Sequence, residues 1–419
     1  MKHAPTTIYR AAAIQDAAGT IARPGSIVVR NGRVIAAGRP DEIPRRLLGY
    51  AEMVDRPQDL ILPALVNAHA HLDLTDLGPR PYDGHFGSWL SQVIEERTKH
   101  TGQVGPSTIR GAEMSLVAGV AHVGDITPSV EAIAARRGAR LSGVSYRELY
   151  GMGMRQHSVL AGALEQLNSL EFETPISGWG RGVVLGLSPH APYSASFEVY
   201  DRATRLSRDR AYRICTHLAE SLEELEFCHS GSGPFRELLE QLGLWDGSIK
   251  PPRVHPIQWM EPHLHRGRWL LAHCNYIEDE HIDILQRTGT SVAYCPVASD
   301  YFGHRKHRYR EMIEQGVNVC LGTDSILCQL PENPQPMSIL SQMRYLYRRD
   351  EAEPEMLLAM ATTHGMLALE LSESDATLGK RAPACFMAVP IDPDCPTDPL
   401  LQALSNDHPV EAIIATGSG

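Results

Sequence analysis

Two histidines one residue apart, His69 and His71, close the apolar run ILPALVNAHAH. Alternate side chains of a strand share a face, so both imidazoles would point the same way and could meet one metal ion. The pair alone is only moderately specific, because histidines also serve as hydrogen-bonded groups near a core. Four more apolar runs end on a polar residue in the same manner: GVVLGLSP on His190, AYRICT on His217, RWLLA on His273 and VNVCLGT on Asp324. A carboxylate in such a place is costly to bury unless it is paired or coordinated, which makes Asp324 a candidate fourth ligand beside His69, His71 and His217.

Glu220 follows His217 by three residues. The spacing suits a division of labour, with His217 on the metal and Glu220 shuttling a proton between water and substrate. The competing reading is that Glu220 caps the helix that follows. His273 is either a ligand or a hydrogen-bond donor to the reacting group, and with four ligands assigned the donor role is preferred. A cation held by three imidazoles and one carboxylate would lower the pKa of a bound water from about 15.7 toward about 7. These ligand types call for one divalent ion, Zn2+ foremost, with Fe2+, Mn2+, Co2+ and Ni2+ also compatible.

Residues this far apart in sequence share a site only if the elements that carry them converge. The middle of the chain alternates short apolar runs with longer stretches of helical period, the pattern of repeated βα units. Eight strands are expected, near ILPALVNAH, VAHVGDI, ARLSGVSYREL, GVVLGLSPH, AYRICTH, RWLLAHC, SVAYCP and VNVCLGTD. An α/β fold of the (β/α)8, or TIM, barrel type gathers the C-terminal ends of all eight on one face, which an open sheet would not. The first residues, GSIVVRNGRVIAAG, hold an Asn-Gly hairpin signal, and FMAVPID and VEAIIATG near the end also read as strands. The expected organisation is a barrel over residues 60–374 and a small discontinuous β-sandwich built from 1–59 and 375–419.

A chain of 419 residues, 43% hydrophobic and 21% charged, can bury such a core. Its net charge of −11 disfavours nucleic-acid backbones and anionic membranes and favours a small-molecule partner. No run is long and charge-free enough to span a bilayer, and the start, MKHAPTTIYRAAAIQ, lacks a secretory pattern, so a cytoplasmic protein is expected. A homodimer is the default for such an enzyme. The eight cysteines show no C-x-x-C pairing and are read as buried free thiols, Cys295 and Cys320 among them.

Substrate contacts are sought on the same face. His190 either binds substrate or makes a structural hydrogen bond. Arg147 and Glu148 end the third strand, and Trp89, in the insert after the first, could form a hydrophobic lid. The run His304, Arg305, Lys306, His307, Arg308 could anchor a substrate anion, although a solvated loop is preferred. GSGPFR and GWGRGVVLG complete no nucleotide-binding loop.

With these residues in place, the chain resembles the amidohydrolase superfamily, in particular the aminohydrolase branch that holds adenosine-type, guanine and cytosine deaminases and triazine hydrolases. LPALVNAHAH, SPHAPYS, THLAES, LAHCNYI and LGTDS carry the resemblance, in that order. It implies a mononuclear site with His69, His71, His217 and Asp324 as ligands, Glu220 and His273 as catalytic groups, and no bridging carboxylated lysine. It also implies deamination of an amino-substituted heterocycle of the adenosine type. The alternatives are triazine dechlorination or cyclic-amide hydrolysis on the same scaffold, or a silent scaffold protein. GPFRELLEQLGLWDG and CPVASDYFGH look most like deaminases of S-adenosylhomocysteine, methylthioadenosine and aminofutalosine. Two departures stand out: Ala64 replaces the usual glycine before the first ligand strand, and CPVASDYFGH departs from a Pro-x-Ser-Asn pattern.

Overall fold

The structure is a computed structural model that describes residues 6–49, 51–139, 141–170, 182–304, 306–333 and 335–414. Eight parallel strands form the barrel, each in its expected place: Leu65–Ala70, Val120–Thr127, Ser142–Leu149, Val183–Pro189, Arg213–Leu218, Trp269–His273, Ser291–Tyr294 and Asn318–Leu321. They pair in sequence order from first to eighth. A bridge between Ala70 and Asp324 brings the first strand against the end of the eighth.

That seam is specific. Asn67, fully buried, donates from Nδ2 to Thr323 Oγ1 at 2.7 Å and accepts the Thr323 N–H at 3.1 Å. The N–H of Asp324 donates to the His69 carbonyl at 3.0 Å. Gly322 lies where the strands press closest: a Cβ there would stand 2.9 Å from both the Cβ and the carbonyl oxygen of His69. Only a residue without a side chain permits that approach.

Side chains alternate along the barrel strands. Val144, Tyr146, Cys215, Ala293 and Cys320 fill the barrel interior with Ile126 and Leu270, and Met366 and Leu369 join that cluster. The opposite faces of the strands pack against the surrounding helices in the largest apolar cluster. In the first strand the register against the second changes from Asn67↔Val123 to Ala70↔Asp125, so three residues are spanned by two. This bulge re-aims the strand just where the H-x-H pair begins.

Both ends of the described chain contribute to one further sheet. Its order is Glu411–Ile414, Cys385–Pro390, Ala51–Pro63, Thr6–Gln15, Gly25–Arg30, Arg33–Gly38, with Ile21–Ala22 paired to Thr6–Gln15. Asn31 and Gly32 both take positive φ, 51° and 66°, as a tight two-residue hairpin requires. The strand Ala51–Pro63 leads through Ala64 into the first barrel strand, and Tyr9, Ile27, Ile61 and Phe386 share one apolar cluster across the sheet. No helix among the described residues is long and apolar enough to cross a membrane.

Replacing Asn67 by Ala removes both of its hydrogen bonds to Thr323 and leaves the Thr323 N–H with the His69 carbonyl alone, at 3.1 Å. The expected loss is about 1–3 kcal/mol of unfolding free energy, read as a lowered urea midpoint. An unchanged midpoint would show that the seam does not depend on this pair.

Candidate active site

The C-terminal ends of the strands converge as the fold requires. His69 and His71 come from the first strand, Glu148 from the third, His190 from just past the fourth, His217 from the fifth, His273 from the sixth and Asp324 from just past the eighth. The His69 ring lies 4.9 Å from that of His217 and 5.2 Å from those of His71 and His273, centroid to centroid. All are buried.

Donor atoms face one another. His71 Nε2 is 3.3 Å from His217 Nε2 and 3.5 Å from Asp324 Oδ1, and His69 Nε2 is 3.7 Å from the same oxygen. Four ligands at about 2.0–2.1 Å from a tetrahedral ion stand roughly 3.3 Å apart. His217 donates its Nδ1–H to the His190 carbonyl at 3.0 Å, which leaves the Nε2 lone pair aimed at His71. His69 Nε2 is buried without a hydrogen-bond partner, a cost that a cation shared with these groups would remove. Burial pushes the His71 imidazole down to about 3 and that of His217 well below its ordinary range.

 Burial works against Asp324 as well, but the facing imidazoles of His69, His273 and His71 outweigh it and hold that carboxyl well below its usual range. Neutral imidazoles and an ionised carboxylate are the protonation states in which these groups bind a divalent metal.

Glu220 is the opposite case. Burial, with the nearby charges of Asp324, Glu224 and Glu223, raises its pKa well above the ordinary value. Its Oε1 lies 3.6 Å from His273 Nε2. Glu220, His273 and Asp324 present donor atoms within 4.8 Å of one another, so this carboxyl stands beside the candidate metal ligands. His273 and Asp324 have left-handed backbones, φ 74° and 58°, strain of the kind that collects at functional sites. His307 supports the first by donating Nε2–H to the His273 carbonyl at 2.7 Å.

Glu148, His190 and His217 form another close group, but His217 has already committed Nδ1, and the Arg97 guanidinium lies 3.6 Å from Glu148. A neighbouring cation opposes a second metal there. Burial pushes the Glu148 carboxyl up, yet His190 and Arg97 outweigh it and hold it down at about 2. His190 Nδ1 meets Ser194 Oγ at 2.6 Å, and its Nε2 lies 3.8 Å from Glu148 Oε1. His190 thus makes the structural hydrogen bond and also faces the cavity.

The cavity at this centre holds about 60 Å³ and is lined by the metal-facing groups, Glu148, His190, Tyr193, Phe302 and the helix Phe86–Lys99. Trp89 lies on that helix and lines the cavity. Its Nε1–H donates to Tyr301 Oη at 3.1 Å, and its ring meets Phe302 edge-on at 4.9 Å. A larger groove of about 650 Å³, lined by Arg344, Tyr345, Arg348 and Arg349, contains none of the polar cluster.

Arg147 does not join the site. Successive residues of a strand point to opposite faces, so with Glu148 turned inward Arg147 turns outward, reaching Gln166 of the helix Gln156–Leu170 at 3.5 Å. The basic run is also not simply solvated: His307 is buried and stacks on Tyr294 at 3.9 Å, while Arg308 pairs with Asp279 and Glu311. Lys306 is exposed, and Arg305 lies outside the described residues, as does most of the first half of GWGRGVVLG. The cationic pocket residue is instead Arg97, paired with Asp73 at 3.0 Å. Phe86, Trp89, Leu90, Val93 and Arg97 all line the cavity, and their helical spacing in FGSWLSQVIEER is the signal that could have found Arg97.

Residues 60–418 match the Amidohydrolase family, to which the chain therefore belongs. An aminodeoxyfutalosine deaminase of Deinococcus radiodurans is 30% identical over 324 residues, 72% of each chain. A 5-methylthioadenosine/S-adenosylhomocysteine deaminase of Halalkalibacterium halodurans is 27% identical over 377 residues, 85% of this chain and 76% of its own. Among solved structures, the Helicobacter pylori aminofutalosine deaminase superposes with a TM-score of 0.79 at 19% identity, covering 97% of both chains. Atrazine chlorohydrolase TrzN of Arthrobacter aurescens TC1, complexed with zinc, gives 0.73 at 19% identity, covering 95% of this chain and 91% of its own. At these identities the structural likeness is one of fold.

Arg147→Ala is expected to leave KM within about twofold of wild type, whereas Arg97→Ala, which strips a charge partner from buried Glu148 and Asp73, should raise KM by about tenfold or more. Steady-state kinetics on the two variants checks this. The reverse order would return Arg147 to the pocket.

Proposed function

We propose that this member of the amidohydrolase family is a metal-dependent hydrolytic deaminase of an amino-substituted heterocycle of the adenosine type. The observation that carries the reading is Glu220: a buried carboxyl 3.6 Å from His273 and beside four side chains able to hold a metal. The deaminase names of the relatives support the same reaction class.

His69, His71, His217 and Asp324 would hold one divalent ion, Zn2+ by preference for three imidazoles and a carboxylate. When bound, such an ion acidifies a water and supplies a nucleophile near neutral pH. In the overall reaction water adds at the carbon that bears the amino group, a C–O bond forms, the C–N bond breaks and ammonia leaves. Glu220 gives its proton from Oε to a ring nitrogen, which makes that carbon electrophilic. The resulting carboxylate then takes a proton from the attacking water and passes it to the departing amine, and as the C=O forms the remaining hydroxyl proton returns to Glu220. His273 Nε2, which faces Glu220, orients the incoming oxygen, and Asp324 accepts a hydrogen bond on the same side.

Glu148 and His190 provide the polar wall against which the heterocycle or its substituent is set, and Trp89 with Phe302 provides the apolar one. A cavity of about 60 Å³ is far below the roughly 300 Å³ or more of a ligand pocket. The lid helix Phe86–Lys99 therefore has to shift to admit substrate, and its return excludes bulk water.

Zinc-loaded protein incubated with adenosine derivatives, guanine, cytosine and aminotriazines should release ammonia from the adenosine group. Glu220→Gln should keep about one zinc per chain while turnover falls by about 10²–10⁴, and a chelator should abolish the activity until zinc is restored. Near-normal turnover in the Gln variant would sink the role of Glu220. Chloride from a chlorotriazine with no ammonia from any compound would move the reading to dechlorination.

A further inference from the structure

A second buried carboxylate, which the reaction does not consume, fixes the backbone of Glu220. Glu224 is 0% exposed and sits in the first turn of the helix Leu222–Ser230, whose N-cap, Ser221, accepts the Glu224 N–H at 3.2 Å. In a capping box the carboxylate at this position returns to the N–H of the cap residue. Here it reaches further back: Oε1 accepts the Ala219 N–H at 2.9 Å and Oε2 the Glu220 N–H at 2.8 Å. Ala219 has a left-handed backbone, φ 51°, a conformation a non-glycine residue holds only when its surroundings impose it.

The carbonyl side of the same residue is held as well. Asn275 Nδ2 donates to the Glu220 carbonyl at 3.0 Å, and Asn275 Oδ1 accepts from Ser299 Oγ at 3.1 Å. Ser299 belongs to CPVASDYFGH, the stretch that departs from the Pro-x-Ser-Asn pattern. Glu220 is thus gripped through its N–H from its own helix and through its C=O from the segments that follow the sixth and seventh strands.

We propose that Glu224 is a positioning residue: by clamping the N–H groups of Ala219 and Glu220 it sets the aim of the Glu220 carboxyl at the reacting atoms. The inference rests on Glu220 being the proton carrier. Glu224 itself does not line the cavity, so it acts through Glu220 and not on substrate.

The test uses the zinc-loaded enzyme and the adenosine derivative of the panel that is turned over fastest. Glu224→Ala should lower kcat by about 10- to 100-fold, the effect of a misplacement on the order of 1 Å, with KM within about threefold and zinc content unchanged. Glu224→Gln, whose amide oxygen can still accept one N–H, should fall between. In a Glu220→Gln background, adding Glu224→Ala should change the residual rate by less than about threefold, since the aim of an absent proton carrier cannot matter. A kcat within about twofold of wild type in Glu224→Ala, or the same fractional loss in both backgrounds, overturns the proposal while leaving the role of Glu220 intact. If Glu220→Gln alone retains wild-type turnover, the reading of Glu220 falls and the inference with it. A crystal structure of zinc-loaded Glu224→Ala decides without substrate: a displaced Glu220 carboxyl supports the clamp, and an unmoved one overturns it. Should the Ala variant fail to fold, the Gln variant carries the same comparisons.

Discussion

Four donors drawn from residues 69 to 324 can meet only if the first and eighth strands meet, and they do so through a seam a few atoms wide. Asn67 and Thr323 exchange two hydrogen bonds there, and the Asp324 N–H binds the carbonyl of His69 itself. The seam thus connects two of the proposed ligands by backbone, with no intervening side chain to relax. Gly322 belongs to the same contact, since a Cβ would collide with His69. Closure also ends the sheet's two free edges, so one set of bonds serves both the stability of the barrel and the spacing of the donors.

Within that frame the site separates its carboxylates by environment. The carboxyl of Asp324, facing imidazoles, is held below its usual range, as is that of Glu148, between His190 and Arg97, whereas that of Glu220, buried, facing Asp324 and backed by Glu224, is raised well above it. All three are buried, so neighbouring charge and not exposure makes the difference. Carboxyl groups driven apart in this way take on different tasks: Asp324 is fitted to hold a cation, Glu220 to move a proton, and Glu148 to accept a donor from substrate.

The barrel and its polar strand ends were legible because each strand carries its own signal: an apolar run closed by a polar residue. His69, His71, His190, His217, His273 and Asp324 could be named without knowing which strands adjoin. What the sequence left open depends on direction and distance. Arg147 and Glu148 are adjacent, and only the alternation of the strand, once one of them is seen to face inward, sends the other out to Gln166. Arg97 and Phe302 come from segments over 200 residues apart, and nothing local says that they enclose one cavity. The run from His304 to Arg308 reads as charge to be solvated, yet His307 turns inward, because stacking on Tyr294 and a bond to the strained His273 carbonyl satisfy it there.

The lid shows how the apolar and charged parts of the pocket are coupled. Trp89 and Arg97 lie two turns apart on the helix Phe86–Lys99, so one rigid element carries both the aromatic cover and the cation that balances Asp73 and Glu148. A shift of this helix large enough to admit a heterocycle moves both together. Opening therefore parts the Trp89–Tyr301 hydrogen bond and draws the guanidinium away from two buried carboxylates, Glu148 and Asp73. Burial already drives Asp73 up to about 6 against the lowering effect of Arg97, so an open state that withdrew Arg97 would be costly in charge as well as in apolar contact. In the proposed deaminase, a substrate that presented hydrogen-bond donors to Glu148 would restore part of what opening removes, and would thereby favour closure over an occupied pocket.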